Sequence, residues 1–247
     1  MRSEALDLIA RGDSLNRVSI ATGVSRAALR EWAATDGAYA DRVRARAACP
    51  ADLVLSQRCS AYAHLLGLYL GDGCISRHPR GVHRLRISCD ATYPRLIDEC
   101  AGSMFAVVPN VVGFVPAPGC VVVQGYSKHW PCLFPQHGAG HKHERPIVLE
   151  EWQRAVVLEH PDEFVRGLFD SDGCRVTNWT VRQVAGRPKR YEYPRYLFSN
   201  KSHDIVGLCE WALDLLDISH SRPRPDVVSV ARRASVAVMD EVVGPKS

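Results

Sequence analysis

Two aspartates, Asp72 and Asp172, each close an apolar run and each precede a glycine and a cysteine. They lie in Leu65-Leu66-Gly67-Leu68-Tyr69-Leu70-Gly71-Asp72-Gly73 and Val165-Arg166-Gly167-Leu168-Phe169-Asp170-Ser171-Asp172-Gly173, 100 residues apart. Helix-forming runs over 61–70 and 163–169 lead into them, and Gly73 and Gly173 read as left-handed caps, so both acids fall on a last helical turn. A carboxylate there faces the negative end of the helix dipole, which costs a few tenths to about 1 kcal/mol. Making that choice twice points to a site that needs negative charge. Gly67 and Gly71 are four apart, as are Gly167 and Ser171, so each pair shares a helix face on which two backbones can approach. Packing those faces together would bring the carboxylates side by side, where they repel unless a proton or a cation stands between them. Oxygen-only ligands suit Mg2+ or a similar hard ion. The plain alternative is two ordinary helix ends, since Asp-Gly is common in turns.

The elements around the acids repeat as well. In the first copy, strands over 74–77 and 83–88 flank a Pro-Arg-Gly turn, a helix follows over about 94–105, and further strands lie near 111–115 and over 120–126. A short helical piece runs through Phe134. In the second copy a strand over 174–182 is followed by a long charged loop, a strand over 195–199, a helix over 203–216, a strand over 227–231 and a helix over 235–243. Both copies read α-β-β-α-β-β-α.

This combination resembles the LAGLIDADG family, whose signature is a pair of such helices packed at an interface, with terminal acids holding divalent metals for DNA cleavage. The resemblance implies an α+β fold of two pseudo-twofold αββαββα repeats, 59–146 and 147–247, forming a curved antiparallel saddle along double-stranded DNA. It implies a monomer with Mg2+ or Mn2+ held by Asp72 and Asp172, together with the carbonyls of Gly71 and Ser171. In the family a basic residue at the end of the fourth strand orients or activates water. Lys128 has that place in the first copy and Arg232 or Arg233 in the second, where arginine acts only electrostatically. The second copy keeps both acids of the motif, Asp170 and Asp172, whereas the first has Leu70 at the earlier position, so the halves are expected to differ chemically.

A strand pair can present side chains to base edges in the major groove. Arg77, His83, Arg84 and Arg86 in the first copy, and Arg175, Asn178, Thr180, Arg182 and Arg195 in the second, have suitable chemistry; their facing is left open by the sequence. Residues 1–36 read as three short helices of resolvase-type helix-turn-helix pattern. Ser14 and Ser25 are caps, Gly23 is the turn, Ser25, Arg26 and Arg30 face DNA, and Leu29 and Trp32 sit in the core. Residues 37–58 read as a linker in which Arg42, Arg44 and Arg46 could track phosphate. A weak zinc pattern, Cys132-x4-His137-x3-His141-x-His143, with Cys49 or Cys59 able to join, does not match a standard finger. A basic loop near phosphate is the preferred reading of that segment.

The 247 residues carry a net charge of +4, 46% hydrophobic residues and nine cysteines without a Cys-x-x-Cys. This composition indicates a globular protein with reduced thiols, no membrane span and no signal peptide after Met1-Arg2-Ser3-Glu4, expected in the cytoplasm on the nucleoid. Arginine clusters suit a phosphate backbone. Two functions compete: a metal-dependent site-specific DNA endonuclease, and a catalytically silent transcriptional regulator on the same fold. An intein is disfavoured, because no Cys or Ser start and no terminal His-Asn pair is present.

Overall fold

The computed structural model describes residues 1–11, 13–34, 59–244 and Lys246. The chain divides into two compact units, Met1–Cys49 and Pro50–Ser247. The expected linker, 37–58, with Arg42, Arg44, Arg46 and Cys49, lies outside the described residues.

The first unit holds α1 (Arg2–Ala10), α2 (Leu15–Thr22) and α3 (Arg26–Ala34). The serine caps form as expected. Ser14 Oγ accepts from the Arg17 N–H at 3.3 Å and Ser25 Oγ from the Ala28 N–H at 3.2 Å, satisfying amides that a helix start leaves open. Gly23 takes a φ of +69°, which a residue with a Cβ adopts only under strain. Ala5, Ile9, Val18, Leu29 and Ala33 close a small core, with Trp32 packed against it.

The second unit begins with α4 (Cys59–Asp72), β1 (Gly73–Arg77), β2 (His83–Asp90), α5 (Pro94–Val107), β3 (Val112–Ala117), β4 (Cys120–Ser127) and α6 (Trp130–Leu133). It continues with α7 (Glu151–Glu159), α8 (Pro161–Asp172), β5 (Gly173–Val184), β6 (Arg187–Ser199), α9 (His203–Leu215), β7 (Ser221–Arg224), β8 (Val227–Val230) and α10 (Arg233–Val242). The strands form two antiparallel sheets of order β1-β2-β4-β3 and β5-β6-β8-β7. The α+β architecture of two αββαββα halves is therefore the observed one. No helix among the described residues is long and apolar enough to cross a membrane.

Three local expectations are corrected. Gly73 and Gly173 are not left-handed caps: Gly173 has φ −99° and ψ 158°, and both glycines open strands. Their missing side chain serves packing instead, because a Cβ would lie 2.5 Å from the Cα of Tyr69 or Phe169. The charged loop after Arg182 is a continuation of β5 and β6, closed by a two-residue turn in which Ala185 and Gly186 have φ of +49° and +75°. Positive φ at both turn residues matches the twist of a hairpin, and the alternating Trp179, Val181, Tyr191 and Tyr193 suit strands despite the surrounding charge. The remaining strand of the second copy is the edge strand β7, whose Ser-Arg-Pro-Arg has no alternating pattern and carries a proline, which an edge tolerates.

The two halves meet along α4 and α8. A Cβ on Gly67 would lie 2.6 Å from the Phe164 carbonyl oxygen and 2.7 Å from the Leu168 nitrogen, and one on Gly167 would collide with the His64 carbonyl. The backbones themselves are in contact, flanked by fully buried Leu66, Leu68, Phe164 and Leu168. Gly67→Ala is therefore expected to lower stability by about 2–3 kcal/mol through overpacking. Gly102→Ala, in the exposed middle of α5 with open space around it, should instead raise stability by about 0.5–1 kcal/mol. Urea unfolding of the two variants checks the contrast.

Candidate functional site at the paired helix ends

The glycine contact delivers Asp72 and Asp172 to one place. Asp72 retains access to solvent, but it is hemmed in by both helix ends. Burial, and then the charge of Asp172, push its pKa up to about 6, against the pull of Lys142 and Lys246. Burial likewise raises Asp172, which is partly held down by a hydrogen bond from Asn200 Nδ2 to its Oδ2 at 2.6 Å.

Two lysines answer the helix ends. Lys142 Nζ donates to the carbonyls of Tyr69 at 2.6 Å, Leu70 at 2.8 Å and Gly71 at 2.5 Å, closing the C-terminus of α4. Three acceptors match the three protons of an ammonium, and a cation there is favoured by the helix dipole. Burial lowers its pKa to about 8, opposed by Asp172 and Asp72. Lys246 Nζ donates to the Gly173 carbonyl at 2.7 Å, just past the end of α8, and burial lowers its pKa too. A cavity of about 290 Å³ opens beside Asp172 and Lys142, lined also by Gly71, Asn200 and Lys201 and by His141 and His143 of the loop between the repeats; Asp72 and Lys246 do not line it.

The donor set fits a hard divalent cation in part. Two carboxylates held together at a cost, with Asp72 raised by burial and then by its partner's charge, are the oxygen ligands such an ion takes. Of the two carbonyls expected to join them, Gly71's already accepts from Lys142. Ser171 turns its hydroxyl back onto the Gly167 and Leu168 carbonyls.

Lys128 is exposed beyond β4, Arg233 is exposed at the start of α10, and Arg232 bonds Ser219 Oγ at 3.1 Å; none of the three lines the cavity. Lys142, Asn200 and Lys246 were missed. Lys142 sits within the basic loop singled out for its histidines, whereas Asn200 and Lys246 have no spacing signal. Asp170 turns into the core, where its Oδ2 is 3.2 Å from His64 Nε2, and His64 Nδ1 is 2.8 Å from Ser103 Oγ. The zinc pattern is not assembled. Cys132 Sγ bonds the His129 carbonyl, His137 bonds the Phe134 carbonyl, and only His141 and His143 are neighbours, stacked at 5.4 Å.

Sheet register settles which strand residues share a face. Cys74 pairs with Arg86 and Ser76 with Arg84, on the side opposite buried Leu85 and Ile87. Arg77 pairs with His83 and so has the parity of the covered side. In the second sheet Asn178, Thr180, Arg182 and Arg195 lie opposite buried Tyr196 and Phe198. Arg175 has the inner parity and binds Asp240 through two bonds of 2.7 and 3.0 Å. The Nε atoms of Arg84, Arg86 and Arg195 and the hydroxyl of Ser76 are shielded from solvent without a hydrogen-bond partner among the described residues. Unsatisfied shielded donors of this kind are costly unless something outside the chain accepts from them. In the first unit Ser25, Arg26 and Arg30 are exposed on α3 and its cap.

The paired helices and the two αββαββα halves are the arrangement that the motif resemblance implied. The second unit thus has the two-sheet topology that the resemblance implied, each half led by one of the glycine-packed helices. No family model matches the sequence, and no curated protein matches it. Among solved structures, the N-terminal LAGLIDADG domain of DUF199/WhiA is similar at 11% identity over 81% of this chain and 88% of its own, with a TM-score of 0.45. I-DmoI in complex with DNA and Ca is similar at 16% identity over 76% of this chain and 91% of its own, TM-score 0.48. The meganuclease I-AabMI bound to uncleaved DNA is similar at 11% identity over 73% and 82%, TM-score 0.47.

The raised pKa of Asp72 has a definite pH signature. Its folded-state value, about 6, exceeds the ordinary 3.8, so ionisation opposes folding. The penalty is absent below about pH 4, grows through the window up to about 6, and is complete above it. Asp72→Asn should therefore raise the urea midpoint of the metal-free protein at about pH 8 and leave it nearly unchanged at about pH 4. Lys142→Met, which strands three carbonyls, should lower stability at neutral pH by about 1–3 kcal/mol in the same assay.

Proposed function

We propose that the second unit binds double-stranded DNA with the uncovered faces of its two sheets and hydrolyses phosphodiester bonds at Asp72 and Asp172 with Mg2+ or Mn2+. The observation that carries this reading is the pair of carboxylates gathered at the ends of glycine-packed helices, with Asp72 ionising only near pH 6. A divalent ion bound there supplies Lewis-acid polarisation of the phosphate and an acidified water. Asp72 and Asp172 hold it, and Asn200 fixes the orientation of Asp172. Lys142, mostly protonated at neutral pH with a pKa of about 8, places positive charge where negative charge develops on phosphorus oxygens. Lys142 and Lys246 thus take the part expected of Lys128, Arg232 and Arg233, which serve as phosphate contacts at the surface. Arg84, Arg86, Asn178, Arg182 and Arg195 face the duplex, while Arg77 and Arg175 do not reach it. The first unit adds a helix-turn-helix contact through Ser25, Arg26 and Arg30, and the protein acts as a monomer.

One observation favours a second reading, a DNA-binding regulator without cleavage. Lys142 already occupies the Gly71 carbonyl, and with Lys246 it balances the charge of the two aspartates. Selection of bound sites from a random duplex library, followed by incubation of the best site with Mg2+, separates the two. Cutting that Asp72→Asn reduces by roughly a hundredfold or more supports hydrolysis; tight binding with no cutting replaces it by the regulator. On the selected site, Arg84→Ala and Arg182→Ala should each lower the salt dependence of binding by about one ion. Arg175→Ala should leave it unchanged.

A further inference from the structure

Cys59, Glu159 and His160 come together at the far end of the motif helices. The thiol of Cys59, one carboxylate oxygen of Glu159 and one ring nitrogen of His160 all lie within 4.8 Å of one another. Cys59 is the first residue of α4, whose last is Asp72, so the cluster is about 20 Å from the aspartates by helix rise. Its assembly follows from a break in the chain. His160 ends α7 and starts α8 with φ −133° and ψ 59°, and Pro161 opens the next helix. That elbow presents two consecutive side chains to one point, which a continuous helix does not do.

The elbow is held in register by a buried network one turn further along α4. Gln153 Nε2 of α7 donates to Tyr62 Oη at 2.6 Å, and Tyr62 Oη donates to the Leu133 carbonyl at 2.5 Å. Trp152 packs on the Tyr62 ring at 5.1 Å. Cys59 is buried, His160 half-buried and Glu159 exposed, so the thiol is fixed while the other two can close on it.

We propose that Cys59, Glu159 and His160 form a transition-metal site of the Zn2+ class, which ties the α7–α8 elbow to the start of α4. Sulfur, nitrogen and carboxylate oxygen are the donors zinc takes at about 2.0–2.3 Å, and tetrahedral ligands at those lengths stand roughly 3–4 Å apart. Side-chain rotation of Glu159 and His160 covers the remaining distance. Binding replaces the thiol proton, which leaves to solvent, and a water completes the fourth position. Burial and the Glu159 carboxylate both hold the thiol above its ordinary range, a strain that a cation between them relieves. The site is independent of the oxygen-ligand site at Asp72 and Asp172, because a thiolate and an imidazole do not favour Mg2+.

The test is a cobalt(II) titration of the metal-stripped full-length protein, followed by optical absorption. The expected result is one equivalent with a thiolate-to-cobalt charge-transfer band and strong tetrahedral visible bands, both bleached by Zn2+. Cys59→Ser should remove the charge-transfer band. His160→Ala should weaken binding by more than about tenfold, since even the outer partners of metal ligands are worth roughly 10–100-fold. Asp72→Asn and Cys132→Ser should leave the spectrum unchanged. No band at stoichiometric cobalt, or a band that survives Cys59→Ser, overturns the proposal. Should Cys59→Ser fail to fold by circular dichroism, Glu159→Gln and His160→Gln, on the solvent side, decide it: unchanged affinity in both rejects the site.

Discussion

The contact of Gly67 with Phe164 and Leu168, and of Gly167 with His64, is made between main-chain atoms. Two helices that touch in this way have their separation set by backbone thickness, not by side-chain volume, and their relative position has little freedom. The sheets hang from these helices through Gly73 and Gly173, which leave no slack because each strand starts directly at the helix end. The acids at positions 72 and 172 thus inherit their proximity from residues five positions earlier.

That proximity has an electrostatic cost, which the chain meets with two lysines drawn from unrelated places. One comes from the loop between the repeats and one from beyond α10, yet both end on main-chain carbonyls at or just past a motif helix. The carbonyl ends of two dipoles and two carboxylates make a basin of negative potential in which an ammonium is stabilised. A divalent ion entering that basin shares it with charges already present, so the affinity of the site for metal and the hold of the lysines on the helix ends are linked quantities.

Most of the frame was legible because it is written in local patterns: apolar runs ending in Asp-Gly, glycines four apart, serine caps, alternating strands. The αββαββα order and the helix pairing follow from them. The hairpin of β5 and β6 was hidden because Arg187, Lys189 and Arg190 look like a solvated loop, although they lie in paired strands. Face parity could not be read without register, so Arg77 and Arg175 were grouped with Arg84 and Arg182. Lys142, Asn200 and Lys246 reach the site through tertiary folding alone, and no spacing to Asp72 or Asp172 announces them. The cysteine and histidines of 132–143 had a suggestive order, but their side chains bond nearby carbonyls or stack on each other.

The buried link from His64 to Asp170, completed by Ser103, has no twin across the pseudo-twofold axis. The residues 100 positions from its ends are Phe164 and Leu70, both fully buried and both apolar. Pairing the first half with a second copy of itself would set an imidazole against leucine, and pairing two second halves would leave a carboxylate among hydrocarbon. Either mismatch strands a buried polar group at a cost of about 1–3 kcal/mol or more, incurred twice in a symmetric pair. One histidine and one aspartate therefore act as a key between the halves, fitting each half to the other and not to a copy of itself.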